Sequence, residues 1–188
     1  MSISIDHDLQ PSSSSMAESC AKFACSLPGV EHMTAKIPWS TPPFPERPGQ
    51  GDENVARTAR YDMLLRCMIS VPAANDGPVN VIAVGHHADD QVETALMRFG
   101  MGSTVLGAAG MRPCRRWGMG AHDADGLGWA GLDGMNKWIV RPLLDAPKVC
   151  HSNSSVPLLD AHFRIEYSLR ARKINWNTSQ TRVIFNRI

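Results

Sequence analysis

No apolar run in this chain approaches the roughly 18 residues that a membrane-spanning helix needs. No charged-then-apolar stretch of the kind that directs secretion opens it. Its five cysteines, at positions 20, 25, 67, 114 and 150, form no CxxC pair. The odd count and scattered spacing argue for reduced thiols in an intracellular protein, cytoplasmic or organellar (mitochondrial or plastid). An excess of one charge is also missing, since 19 Lys and Arg against 18 Asp and Glu leave a net +1. No polybasic tail therefore advertises nucleic acid, although a local basic patch is compatible with that balance.

What is present suits one domain, or one domain and a fragment, at 188 residues. A hydrophobic share of 43% is enough for a core, while 13 prolines and 15 glycines put much of the chain in loops. The chain is organised around residues 79–111, VNVIAVGHHADDQVETALMRFGMGSTVLGAAGM. Val79 to Val84 is an apolar, β-branched run and reads as a buried strand. His86, His87, Asp89, Asp90 and Glu93 follow closely. Val92, Ala95, Leu96 and Phe99 then recur at helical spacing. The pattern predicts strand, polar turn and amphipathic helix, with the chemistry at the strand's carboxyl end, where open α/β sheets bind ligands. Asp89 or Asp90 can cap the helix, and Glu93 shares a face with either. The plainer reading of the same residues is a capped helix start with a solvated acidic first turn.

HHADDQVET resembles the HHxxDQxET signature of the tRNA(Ile)-lysidine synthetase family, a branch of the PP-loop ATP pyrophosphatases. MGSTVLGAAGM resembles that family's RGSGxxGLAGM segment, with Met101 for Arg and Thr104 for Gly. IDHDLQPSS, from Ile5, resembles the family's VDHGLRPxS: Asp6, His7, Leu9, Pro11 and Ser12 match, and Asp8 stands for Gly. ENVARTARYDMLL resembles NxxxxARxxRYxxL through Arg57, Arg60 and Tyr61. KWIVRPLL, from Lys137, resembles the family's last strand and its RPLL ending, including Arg141.

In chain order, we expect a short strand within residues 1–10 with Ile3 and Ile5 on one face. A helix is expected from Met16 to Leu27, burying Ala17, Cys20, Ala21, Ala24 and Leu27. A strand is expected near Val30–Ile37. Residues 28–52 otherwise read as a Pro/Gly-rich surface loop or insertion. A helix is expected over about 53–69, with Val55, Ala59, Met63 and Met68 near one face. Residues 112–136 read as a flexible loop, or as a flap whose arginines meet RNA phosphate. Residues 146–188 form a poorly defined segment of low order; only Ile174, Trp176 and a weak echo at Asn186–Ile188 resemble the family there.

One family element is absent. No SGGxDS occurs in the chain, and that loop is what holds the pyrophosphate of ATP on backbone amides and a helix amino end. By the resemblance, the chain begins at the family's second strand, so a sheet of order 3-2-1-4-5 would lack its middle strand. Its two flanking edges must then be paired by other strands. We expect either a protein longer at its amino end or a remnant, and favour the first.

The fold class implied is α/β, a Rossmann-like PP-loop (adenine nucleotide alpha hydrolase-like) parallel sheet, incomplete at its amino end, over residues 1–145. The activity implied is ATP- and magnesium-dependent adenylation of the wobble cytidine in the CAU anticodon of tRNA(Ile), then displacement of AMP by the ε-amine of L-lysine. His87, Asp89 and Asp90 would line the nucleotide and cytidine site, with Asp90 the candidate magnesium ligand. Glu93 would orient them or help with lysine. Asp6 and His7 would sit beside the nucleotide, and Arg60 and Arg141 would supply cationic groups for phosphate. Two other readings compete. One is a metal-dependent hydrolase using His86, His87, Asp89, Asp90 and Glu93 as ligands. The other is a non-catalytic RNA-binding remnant.

Overall fold

The computed structural model describes residues 1–49, 52–71, 78–105, 108–117, 134–147 and the backbone of 182–186. The elements in order are β1 (Ser2–Asp6), α1 (Ser13–Ser26), β2 (His32–Lys36), α2 (Glu53–Ser70), β3 (Val79–Val84), α3 (Ala88–Gly100), β4 (Cys114–Arg116), β5 (Trp138–Val140) and β6 (Arg182–Asn186). The six strands form one sheet in the order β2-β1-β6-β3-β5-β4. β2, β1, β6, β3 and β5 run parallel, and β4 is antiparallel to β5 at the edge.

β3 is central because its sequence leaves it no polar face. Val79, Val81, Ile82, Ala83 and Val84 are all buried, as a strand covered on both sides requires. β1 is two-sided in a different way. Ile3 joins the core against α2, with Ile5 packed on it, while Ser4 and Asp6 are buried and line a cavity beside α1. Alternation along the strand therefore sends α1 and α2 to opposite faces of β1. α2 buries Ala59, Tyr61, Leu64, Leu65, Cys67 and Met68. Tyr61, Leu64 and Met68 meet Ile3, Val79, Ile82, Trp117 and Ile139 in one cluster that spans both halves of the sheet. Tyr61 and Trp117 pack edge-on at 6.0 Å. Burial of each such side chain contributes roughly 1.5–3 kcal/mol before the entropy of ordering it.

Four expectations need correction. First, α3 forms where its periodicity places it, but it buries none of its residues: Val92, Leu96 and Phe99 are 59%, 65% and 51% exposed. Periodicity defines a face; it does not supply a partner for it. Second, residues 28–52 are less loose than their composition implies. Ile37 and Phe44 are buried with Ala59 in a second cluster, and Trp39 donates to the carbonyl of His7 at 2.8 Å. Third, residues 114–116 within the expected loop form β4, an edge strand whose Arg116 stacks over Trp138 at 5.1 Å. Fourth, α1 begins earlier than expected and buries Ser13, Ala17 and Ala24, leaving Cys20, Ala21 and Leu27 half-buried. Residues 118–133 and 148–181, where the flap and most of the low-order segment were expected, lie outside the described residues.

The middle of the sheet is filled. β6 pairs with β1 on one side and β3 on the other, parallel to both. The edges of β1 and β3 carry main-chain donors and acceptors that need partners, and a strand from beyond residue 145 supplies them.

Candidate active site

Parallel strands present their carboxyl ends along one edge, so the segments that follow β1, β3 and β5 converge there. These segments hold Asp6 and His7, then His86 to Asp90, then Arg141.

The turn after β1 is built by its own side chains. Asp6 Oδ1 accepts the Asp8 N–H at 2.9 Å, and Oδ2 accepts the Ser14 hydroxyl at 3.2 Å. His7 Nδ1 accepts the Leu9 N–H at 3.2 Å and lies 3.4 Å from Ser13 Oγ. The Asp6 carboxylate thus occupies the position that a helix amino end offers to an anion. Asp8 has a φ of +49°, a left-handed conformation that Gly and, less readily, Asp adopt. This explains why the family's Gly can be Asp here. Its carboxylate pairs with Lys36 at 3.0 Å, which holds its pKa below the ordinary aspartate value, so its charge is balanced locally. Asp8→Gly is expected to leave the melting temperature nearly unchanged. Asp8→Val is expected to lower it by about 2–4 °C, as measured by circular dichroism, because a β-branched residue resists positive φ.

Beside this turn, a cavity of about 470 Å³ opens between β1 and α1. Asp6, His7, Ser4, Ser13, Cys20 and Arg60 are among its lining residues. Burial, and to a lesser degree Arg57, push Arg60 down from the ordinary guanidinium value, which still leaves a cation at neutral pH. Arg57 Nε is buried without a hydrogen-bond partner among the described residues.

After β3 the chain turns into α3 with His87 as its N-cap residue. Of the two expected capping residues it is Asp90 that caps, from the third position of the helix rather than from the N-cap itself. Its Oδ2 reaches back and accepts the His87 backbone N–H at 2.8 Å. The same oxygen lies 3.3 Å from His87 Nδ1, yet Nδ1 makes no hydrogen bond within the described residues. Asp89 and Glu93 are exposed. His86 turns toward β5 instead, and its Nδ1 accepts the Arg141 Nε–H at 3.2 Å. Burial, helped by the Arg141 charge, drives the His86 pKa down to about 4, so it is a neutral acceptor at pH 7. Arg141 is itself buried and donates Nη1–H to the Arg112 carbonyl at 2.7 Å. The Ala88 N–H donates to the Ala146 carbonyl at 3.0 Å, which seats the RPLL segment on the start of α3.

This arrangement overturns the five-ligand metal site. Among the described residues, no group of three or more His, Cys, Asp or Glu is placed to hold a metal. The reason is local: His86 faces Arg141, Asp90 is folded onto the helix start, and Asp89 and Glu93 face solvent.

Sequence reasoning missed a clasp between the two motifs of residues 79–111. Gln91 Nε2 donates to the Met111 carbonyl at 2.9 Å, and Gln91 Oε1 accepts the Met111 N–H. Arg98 Nη1 donates to the Gly110 carbonyl at 3.0 Å. Gly110 has a φ of +74°, and a Cβ there would lie 2.5 Å from Gln91 Oε1. The glycine in GAAGM was the available signal. Gly110→Ala is expected to cost about 1–3 kcal/mol in urea denaturation, from positive φ and loss of the clasp together.

Comparison with known proteins gives the family. A model described as a PP-loop domain matches residues 1–181. A tRNA(Ile)-lysidine synthase of Mesorhizobium japonicum is 33% identical over 144 residues, 77% of this chain and 26% of the relative. One from Methylobacterium sp. (strain 4-46) is 35% identical over 144 residues, 77% of this chain and 33% of the relative. One from Mycobacterium leprae is 39% identical over 109 residues, 58% of this chain and 30% of the relative. The chain spans about a quarter to a third of the length of the curated relatives it matches. No solved structure matches. No helix among the described residues is long and apolar enough to cross a membrane. With the match running from residue 1 to 181, and a parallel sheet whose polar residues gather at its carboxyl edge, the chain belongs to the PP-loop domain family.

Proposed function

We propose that this chain forms the nucleoside-binding core of a tRNA(Ile)-lysidine synthase-type ligase. The observation that carries the reading is the convergence of three strand ends on one edge: Asp6 and His7 after β1, His86 to Asp90 after β3, and Arg141 after β5. The named activity of the relatives agrees with it.

The residues fit one part of ATP and not another. Hydroxyls of Ser4 and Ser13, the His7 ring and Arg60 surround a cavity of nucleoside size. The described residues hold no Gly-rich loop of successive free amides for a triphosphate, and Asp6 already sits at the amino end of α1. Bound ATP would supply the activation that makes the cytidine carbonyl oxygen a leaving group. The chain's own groups bind and orient. Asp6 and His7 shape the pocket wall beside the nucleoside. Arg60 and Arg141 place positive charge where phosphate or a developing anion lies. His87, Asp89 and Asp90 line the cytidine side, with Asp90 the candidate carboxylate for magnesium. Glu93, on the exposed face of α3, attracts the ammonium of free lysine. The tRNA partner is tRNA(Ile) with a CAU anticodon.

The test is a mass measurement. The protein is incubated with a CAU-bearing tRNA(Ile) transcript, ATP, magnesium and lysine, and the wobble nucleoside is isolated. The expected product is cytidine carrying one lysine less one water, formed only when ATP and lysine are both present. An unmodified cytidine under these conditions would sink the reading.

A further inference from the structure

β6 is held unequally by its two neighbours. Against β3 it runs five register pairs, from Val79–Arg182 to Val84–Asn186. Against β1 it has two, Ser2–Phe185 and Ile3–Asn186. β1 continues to Asp6 in its pairing with β2. On the β6 side, its residues Ser4, Ile5 and Asp6 have no strand partner among the described residues, and these three line the cavity. β1 and β3 are not adjacent, so among the described residues β6 is the strand that joins the half of the sheet carrying Asp6 and His7 to the half carrying His86, His87 and Arg141. The PP-loop match ends at residue 181, one residue before β6 begins. The central strand is therefore the part of the sheet outside the match, and one of its two seams is only two pairs long.

We propose that the gap between β1 and β3 is a strand-acceptor site, occupied by this chain's own residues 182–186 and open to exchange with the same residues of a second copy, which match both edges in the same parallel register. Main-chain hydrogen bonds to two open edges supply the affinity, as in other cases of strand addition. The segment RVIFN fits because β-branched and aromatic residues suit a strand paired on both sides. The β1 seam opens first, since two pairs hold it against five on the β3 side. Because β6 fixes the register of one half of the site against the other, exchange of this strand acts on the site directly. The inference rests on the pairing pattern and stands whether or not the ligase reading does.

The test uses the whole chain and a fluorescent peptide of residues 179–188, SQTRVIFNRI. Ile184→Pro removes a main-chain donor from the resident strand and bars it from a central position. The peptide is expected to bind I184P at least about tenfold more tightly than the unaltered chain, because the resident strand no longer competes. A scrambled peptide is expected to bind neither. Equal affinity for the two chains would overturn the proposal, as would no binding to an I184P chain that keeps its near-ultraviolet circular dichroism. If I184P does not fold, a second variant decides. Ser2→Cys with Phe185→Cys places two thiols on registered neighbours, whose Cα atoms in a sheet lie about 4.8 Å apart, within disulfide reach. A 2–185 link within one monomer, mapped by mass spectrometry, supports the resident strand. A further 2–185 link between two chains at raised protein concentration supports exchange; no 2–185 link, or none between chains, overturns the proposal.

Discussion

Arg141→Met is expected to lower stability by about 2–4 kcal/mol and to reduce the proposed lysidine formation roughly 100-fold. Methionine fills similar space but returns neither hydrogen bond. The Arg112 carbonyl and His86 Nδ1 would each lose a donor in a poorly solvated place, and an unmet buried polar group costs about 1–3 kcal/mol. The His86 pKa would rise, because the Arg141 charge is the second cause of its depression after burial. Proton-detected titration of the His86 ring would show that rise, which a packing defect elsewhere would not produce. Arg141→Lys is expected to keep the charge but recover little activity, since an ammonium cannot serve two acceptors in a planar fork.

Acid is expected to unfold this protein early, and His86 is the reason. Its pKa is about 4 in the fold against an ordinary 6.5. Burial is the first cause and the Arg141 guanidinium the second. The unfolded chain therefore takes up a proton between pH 6.5 and 4 that the folded chain refuses. The stability from this group is intact above pH 6.5 and is lost as pH falls toward 4. The slope approaches about 1.4 kcal/mol per pH unit, and the total is on the order of 3 kcal/mol. His32, lowered by burial alone, adds in the same direction. Urea midpoints measured from pH 7.5 down to pH 4.5 are expected to fall, most steeply below about pH 6. In His86→Gln the fall is expected to be much shallower. An unchanged slope in that variant would remove His86 as the cause.

Particular elements show what was legible in advance. β3 and α2 were readable because their burial is written into local pattern: an unbroken β-branched run, and apolar residues at helical spacing. That polar residues gather at the carboxyl edge of the sheet was readable through motifs and the rule that parallel sheets bind ligands there. β6 was not, because nothing local in TRVIFNRI says that two distant edges await it. Pairing over that separation is a property of the whole sheet. α3 shows the opposite failure. Its apolar stripe is clear in sequence and finds no core. The inward turn of Asp90 onto His87 was half legible, since an acidic residue three positions past the N-cap can bond back to it. The pairing of His86 with Arg141 was not, because the two lie 55 residues apart in sequence.

The first measurement to make is photolabelling of the whole protein with azido-adenosine monophosphate, followed by tryptic mapping. A nucleoside seated between β1 and α1 would be surrounded by Ser4, His7, Ser13 and Cys20. The label is therefore expected on the tryptic peptide of residues 1–22, and excess ATP is expected to suppress it. Labelling confined to other peptides, or a label that ATP does not suppress, would contradict the placement of the nucleotide and the ligase reading built on it.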